Sequence, residues 1–211
     1  MRALILVDLQ NDFVPGGALP VPDGHAVIPL ANRLARSLEL VVATQDWHPL
    51  GHKSFAASHP GRKPGEVIDL NGLEQVLWPV HCVAGTPGAE LVAGLDSRKI
   101  DEVFRKGTDP EIDSYSGFFD NGHRRATGLH EYLRAKGVTD VYILGLATDY
   151  CVKFTALDAR RLMPRLQVTV VLDATRPVGP RTGREAEEEM RRAGIRLLRS
   201  SELSAELSAR R

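Results

Sequence analysis

The chain has 211 residues, 27 Lys+Arg against 27 Asp+Glu for a formal charge of zero, and 43% hydrophobic residues. That length buries a substantial core without staples, and an even charge with no run of one sign argues against a nucleic-acid or anionic-membrane partner. No apolar stretch approaches the ~20 residues of a membrane span, and the opening Met-Arg-Ala-Leu-Ile-Leu-Val-Asp is too short for a signal segment.

Residues 2–7 read as an apolar strand, and 26–38 carry a helical stripe at Val27, Ile28, Leu30, Ala31, Leu34, Ala35 and Leu38. A second strand is predicted at 40–44. Residues 46–100 are rich in Gly, Pro and His, with little period except around 73–77. Too long for a plain connection, this segment is expected to build a site. There follow a short strand at 102–105, a helix at 127–136 closed by Gly137, a strand at 140–144 and a helix at 149–162. A strand at 167–172, a helix at 181–193 ended by Gly194, and a last strand at 195–198 complete the alternation. The polar tail from residue 200 is expected to fray. The pattern predicts an α/β fold, a single domain over 1–211 with an insertion at about 46–100. Its six-stranded, mainly parallel sheet is doubly wound, with helices on both faces.

In such sheets ligands bind outside the carboxyl ends of the strands. Asp8 ends the first strand, Asp46 follows the second, Lys106 ends the third and Cys151 follows the fourth. Gly145-Leu-Ala-Thr-Asp-Tyr-Cys151 sets the thiol at the first turn of a helix, where unpaired N–H groups favour thiolate. Free cysteines are often small core residues, so position rather than type makes Cys151 a candidate nucleophile. A thiol needs a base or a lowered pKa to attack a carbonyl. No histidine lies near the first or fourth strand end in sequence, so Asp8 is the expected proton acceptor. Burial would raise its pKa, and Lys106 would supply a charge that keeps it ionised. Cys82 and Cys151 are the only cysteines; so few, so far apart, they point to a reducing, cytoplasmic setting. The oligomeric state is left open, a homo-oligomer included.

Asp46-Trp47-His48 is an Asp-x-His pair in an extended segment, which points both side chains to one side. With a third imidazole it makes a facial site for a divalent transition metal that keeps positions open. His81, in Trp78-Pro79-Val80-His81-Cys82, is the best third ligand; His52 and His59 compete for the role. Phe13, Trp47, Trp78, Tyr115 and Phe118 flank these groups in a chain with 6% aromatics. That clustering predicts a flat, apolar ring pocket.

Together these stretches resemble the nicotinamidase/pyrazinamidase branch of the isochorismatase-like cysteine hydrolases. The matching segments are 4–13 (LILVDLQNDF), 44–49 (TQDWHP), 78–85 (WPVHCVAG), 104–107 (FRKG), 115–118 (YSGF) and 145–152 (GLATDYCV). The D-W-H and W-P-V-H-C pair is specific to the branch, whereas V-D-x-Q-x-D-F marks only the superfamily. The resemblance implies an isochorismatase-like fold, an Asp8–Lys106–Cys151 triad, and one divalent metal (zinc first, iron or manganese next) on Asp46, His48 and His81. No nucleotide or flavin is implied. Some relatives have a fourth histidine where this chain has Ser54, which implies three protein ligands plus waters, one of them held by Ser54. A cis peptide is implied at 146–147, with oxyanion contacts from the backbone N–H groups of Ala147 and Cys151. The implied substrate is a small aromatic amide seated by Phe13, Trp78, Leu146, Ala147 and Tyr115, its ring nitrogen on the metal. The implied reaction is hydrolysis of nicotinamide, and of pyrazinamide, through a thioester in NAD salvage. Three rivals stand beside it. One is a metal-free N-carbamoyl or ureido amidohydrolase, another a non-catalytic metal- or ligand-binding protein, and the last a thiol redox sensor using Cys82 and Cys151.

Overall fold

The computed structural model describes residues 1–209. Its elements in chain order are β1 (Arg2–Val7), α1 (Ile28–Ala35), β2 (Leu40–Asp46), a hairpin of β3 (Val67–Leu70) and β4 (Leu73–Val76), and β5 (Glu102–Lys106). Then come α2 (Leu129–Ala135), β6 (Asp140–Leu146), α3 (Lys153–Leu162), β7 (Gln167–Arg176), α4 (Pro180–Arg192), β8 (Arg196–Leu198) and α5 (Ser200–Ala209). Six strands form one sheet in the order β5-β2-β1-β6-β7-β8, and every neighbouring pair in it is parallel.

Successive side chains of a strand face opposite sides, so each central strand feeds two cores. Leu4, Leu6, Val41, Ala43 and Leu144 pack against Ala31 and Leu34 of α1 and Leu203 and Leu207 of α5. Ala3, Ile5, Val42, Val141 and Ile143 pack against Leu129 and Leu133 of α2, Ala156 and Ala159 of α3 and Met190 of α4. This is the doubly wound arrangement that the unbroken apolar strands predict. Burying each Leu, Ile or Val contributes about 1.5–3 kcal/mol before entropy is counted.

The chain runs from β1 outward to β2 and β5, then crosses back to start β6 on the other side of β1. The sheet therefore changes direction between β1 and β6, where parallel sheets open a crevice. Val7 pairs with Gly145, so Asp8 and the segment leading to Cys151 leave the sheet on either side of that crevice.

Several expectations are corrected. The residue 200–211 tail does not fray as far as residue 209: α5 buries Leu203 and Leu207, four residues apart on one face. Its first turn is held by Ser200, whose N–H and Oγ–H both donate to Asp173 at 2.7 Å; residues 210 and 211 lie outside the described residues. The helix predicted from 26 starts at Ile28, after a 3-10 turn over Gly24–Val27, because Pro29 lacks an N–H and fits only a first turn. The helix predicted from 149 opens as a π-turn over Thr148–Val152, with the Val152 N–H reaching Ala147 O at 3.1 Å. β2, β6 and β7 each run further than their apolar stretches, so Asp46, Leu146 and Arg176 end strands rather than begin loops. No helix among the described residues is long and apolar enough to cross a membrane.

Candidate active site

Four strand ends bring Asp8, Asp46, Lys106 and Cys151 together. Asp46 and Lys106 are paired in register on β2 and β5. The Lys106 ammonium lies 2.5 Å from Asp46 Oδ1, 2.9 Å from Asp8 Oδ2 and 3.5 Å from Cys151 Sγ, and donates to Ser114 O at 2.8 Å. Asp8 Oδ1 accepts from the Thr44 hydroxyl at 2.5 Å. One oxygen each of Asp8 and Asp46 and the Cys151 sulfur fall within 4.8 Å of one another.

Burial governs the protonation of this group. It raises the Asp8 pKa above the ordinary carboxylate value, with Lys106 pulling the other way and Asp46 adding to the rise. It likewise raises the Cys151 thiol well above its usual value; Lys106 lowers it, and Asp8 and Asp46 raise it further. The helix-terminus expectation of a resting thiolate is thus corrected, because desolvation of the sulfur outweighs the turn's partial charge. For Asp46, burial opposes ionisation, but Lys106, His48 and His81 together hold its pKa well below the usual range. Lys106, despite burial, is held charged by Asp46 and Asp8.

Beside this group stand two imidazoles. His48 Nδ1 meets Gly107 O at 2.9 Å, and His81 Nδ1 meets Pro79 O at 2.8 Å. Each carbonyl must be given a proton by Nδ1, which turns both Nε2 atoms toward the ion position. Those atoms face the same Asp46 Oδ2, at 3.7 Å from His48 and 4.0 Å from His81, and His48 Nε2 is buried with no hydrogen-bond partner. Burial lowers the His48 pKa but Asp46 outweighs it and raises it, so an ion binding there would displace the Nε2 proton. Gly107 makes the first contact feasible: a Cβ there would lie 2.4 Å from the His48 ring. Burial and the neighbouring His48 lower the His81 pKa to about 4, so it stays neutral at pH 7. Two neutral-capable nitrogens and a carboxylate oxygen within 4.8 Å of one another fit the donor set of a first-row divalent ion.

Both groups open into one pocket of about 440 Å³, mouth included, lined among others by Cys151, Asp46, His81, Phe13, Trp78 and Tyr115. Phe13 and His81 are 5.5 Å apart between ring centroids, and Trp78 meets Tyr150 edge-on at 4.9 Å. The peptide bond between Leu146 and Ala147 is cis, and both residues line the pocket.

A model of the isochorismatase domain matches residues 2–202. The chain belongs to the isochorismatase family. Within it the similarity runs to nicotinamidases. The nicotinamidase of Escherichia coli (strain K12) is 48% identical over 203 residues, covering 93% of each chain. A solved Acinetobacter baumanii nicotinamidase/pyrazinamidase superposes with a TM-score of 0.92 at 43% identity, over 96% of this chain and 97% of that one. The Pyrococcus horikoshii pyrazinamidase, solved in complex with zinc, gives a TM-score of 0.76 at 40% identity, over 94% of this chain and 98% of that one.

Against this family frame, the expected site residues separate cleanly. Asp8, Lys106 and Cys151 come together, as do Asp46, His48 and His81, and Phe13, Trp78, Tyr115, Leu146 and Ala147 line the common pocket. The Ser54 hydroxyl meets His52 Nδ1 at 2.8 Å. His52 lies beside His48, the rings tilted by 48° with centroids 4.4 Å apart, and His59 turns away to Lys53 O. Trp47 and Phe118 are corrections. Trp47 lies under the Arg105 guanidinium at 3.8 Å, and Phe118 is buried in the α2–α3 core. The thiol-pair alternative loses its basis, since Cys82 and Cys151 are free and sit in opposite cores, with burial pushing the Cys82 thiol far above its usual pKa.

Sequence reasoning missed Thr44, Ser114 and Tyr150. Tyr150 was findable, as an aromatic residue beside the nucleophile. Thr44, which accepts the Asp8 N–H and donates to its carboxylate, and Ser114, through its carbonyl on Lys106, act across the fold and leave no local signal. Leu19, Val21, Asp113 and Val178 complete the lining, supplied by loops whose approach depends on the tertiary fold.

Proposed function

We propose that this chain is a metal-dependent cysteine amidohydrolase that converts nicotinamide, and pyrazinamide with it, to the carboxylic acid and ammonia. The observation that carries the reading is the shared pocket. A sulfur with its proton acceptor and an ion-binding set open onto the same apolar, aromatic-walled space. Asp46, His48 and His81 would hold the ion, zinc being the first choice for two imidazoles and a carboxylate. When bound, the ion supplies a Lewis-acid contact that orients the ring nitrogen of the substrate. Residues 46–100 act as the insertion that carries this cage and roofs the pocket.

The remaining chemistry belongs to the side chains. Phe13 and Trp78 flank the ring, with Tyr115 and Tyr150 behind Trp78. Asp8, its basicity increased by burial, takes the Cys151 thiol proton, and Lys106 at 3.5 Å from the sulfur stabilises the thiolate as it forms. Sγ bonds to the carboxamide carbon, and the carbonyl π pair moves onto oxygen. Backbone N–H groups of Ala147 and Cys151 receive that oxyanion, a role in which one donor is worth about 10²–10³ in rate. The C–N bond breaks as protonated Asp8 returns its proton to nitrogen, and ammonia departs. Water, deprotonated by Asp8, then cleaves the thioester to the acid and restores the thiol.

The metal-free ureido-hydrolase reading uses the same triad but leaves the two imidazole nitrogens turned toward Asp46 without a purpose. Ammonia release from nicotinamide, measured before and after chelation with metals added back singly, tests the proposal. Activity lost on chelation and restored by one of the ions is expected; full activity in metal-free protein overturns it.

A further inference from the structure

The short turn that follows Asp8 holds the elements that end in the ion-binding side chains. Gln10 is fully buried, and its amide engages both backbone groups of Asp46. Its Nε2–H donates to Asp46 O at 2.8 Å, and the Asp46 N–H donates to Gln10 Oε1 at 2.8 Å. The other Nε2 proton goes to Ala89 O at 2.7 Å. Two residues later, Asp12 Oδ2 accepts the Cys82 N–H at 2.7 Å, and Oδ1 accepts the Ala18 N–H at 3.1 Å.

Cys82, next to His81, has φ +44°. A non-glycine residue keeps that left-handed conformation only where its surroundings hold it. The Cys82 carbonyl in turn accepts the His48 N–H at 3.0 Å. The backbones of His81 and His48 are therefore joined through a residue that Asp12 fixes. Gly88 lies so close to Asp12 that a Cβ there would sit 2.2 Å from Oδ2, so the seat of the carboxylate is formed by the absence of a side chain. None of these bonds goes to Asp8, Lys106 or Cys151.

We propose that Gln10 and Asp12 are positioning residues for the ion cage, Gln10 indexing Asp46 and Asp12, seated on Gly88, indexing the His81–Cys82 turn. The proposal rests on the reading of Asp46, His48 and His81 as ion ligands. One loop then sets the distance between the proton acceptor it carries and the cage that orients the ring. Groups that support metal ligands without touching the ion typically govern affinity by about 10–100-fold.

Cobalt(II) is the probe, in competition with a chromophoric chelator, on wild-type protein and on Asp12→Asn, Gly88→Ala and Gln10→Leu. Asn offers one acceptor oxygen where Asp12 uses two, so one N–H loses its partner. Ala at 88 displaces the carboxylate without altering it. Expected are a roughly 10–100-fold loss of cobalt affinity, an altered visible spectrum of the bound ion, and a KM for nicotinamide that rises more than kcat falls. The metal-free variants should keep a cooperative melt and the wild-type near-ultraviolet dichroism. Wild-type affinity and spectrum in Asp12→Asn and Gly88→Ala overturn the proposal, as does loss of the cooperative melt in both, which would make the loop a folding element only. Failure of the wild-type protein to bind cobalt or zinc is a separate result: it removes the ion-cage reading itself, and this proposal with it.

Discussion

Lys106 and Asp46 stand opposite each other on paired strands, and the ammonium that touches Asp46 Oδ1 at 2.5 Å also reaches Asp8 Oδ2 at 2.9 Å. One buried cation thus serves a carboxylate of the candidate ion cage and the candidate proton acceptor. Removing it strands two buried anions in a medium that penalises them.

Lys106→Met should therefore cost both stability and turnover. Breaking a buried ion pair from one side costs about 3–5 kcal/mol, readable in urea melts. Loss of the charge that stabilises the thiolate should lower kcat by about 10²–10³-fold. A variant with near wild-type turnover would mean that Lys106 is a structural counter-ion alone.

The acid limb of kcat/KM should report Asp8. The carboxylate must be ionised to take the thiol proton, so activity is present above its pKa and is lost as pH falls through it. Burial raises that pKa, which places the limb above the ordinary value of about 4. Lys106 is raised well above its usual value, so it contributes no loss on the alkaline side below pH about 10. A limb at or below pH 4 in the wild-type profile would remove Asp8 from the proton transfer.

Much of this was legible because apolar strands announce themselves and parallel sheets put reactive groups at their carboxyl ends. Asp8, Asp46 and Lys106 were found that way, each at or one residue past a strand end, and Cys151 in the turn five residues beyond β6. What the sequence withheld were contacts that depend on register and on loop approach. The pairing of Asp46 with Lys106 follows from the order of β2 and β5, and no local pattern encodes it. The tail misled because Leu203 and Leu207 are only two apolar anchors in a polar stretch, enough to dock a helix once α1 presents a surface. The thiolate expectation failed because a sequence shows where a helix begins but not how dry its first turn is.

Cys151→Ala should lower turnover by about 10⁴–10⁶-fold, the scale seen when a nucleophile–base unit loses its members, while cobalt binding persists. In wild-type protein, hydroxylamine added during turnover should intercept the thioester. Its nitrogen takes the acyl carbon from sulfur, giving a hydroxamate and a free thiol. Hydroxamate from wild-type but not from Cys151→Ala is the expected result; none from either would argue against a covalent acyl-sulfur intermediate.

Stripping the ion should also be visible in the melting curve. An ion present at a hundredfold its Kd stabilises the native state by about 2.7 kcal/mol, so chelated protein should melt earlier and regain its midpoint when zinc is restored. The same recovery in His48→Ala would show the stabilisation to arise elsewhere, because His48 contributes one of the two imidazole nitrogens beside Asp46.

The aromatic wall gives a prediction that separates binding from chemistry. Trp78 Nε1–H and Gln75 Nε2–H both donate to the Tyr115 hydroxyl, at 3.3 and 3.2 Å, so Tyr115 fixes the indole from behind. Tyr115→Phe leaves the ring but strips the acceptor from the indole N–H, while Gln75 keeps Val76 O and Asp113 Oδ2. The loss of a buried hydrogen bond, about 1 kcal/mol, should loosen Trp78 and raise KM about fivefold with kcat little changed. Trp78→Ala removes the wall itself, and a truncated aromatic anchor costs about 2 kcal/mol or more, near 30-fold in KM. Neither residue touches the proton path from Cys151 to Asp8. Steady-state kinetics with nicotinamide decide the matter: a fall in kcat at unchanged KM in either variant would place the aromatic wall in the chemical step instead of in ring binding.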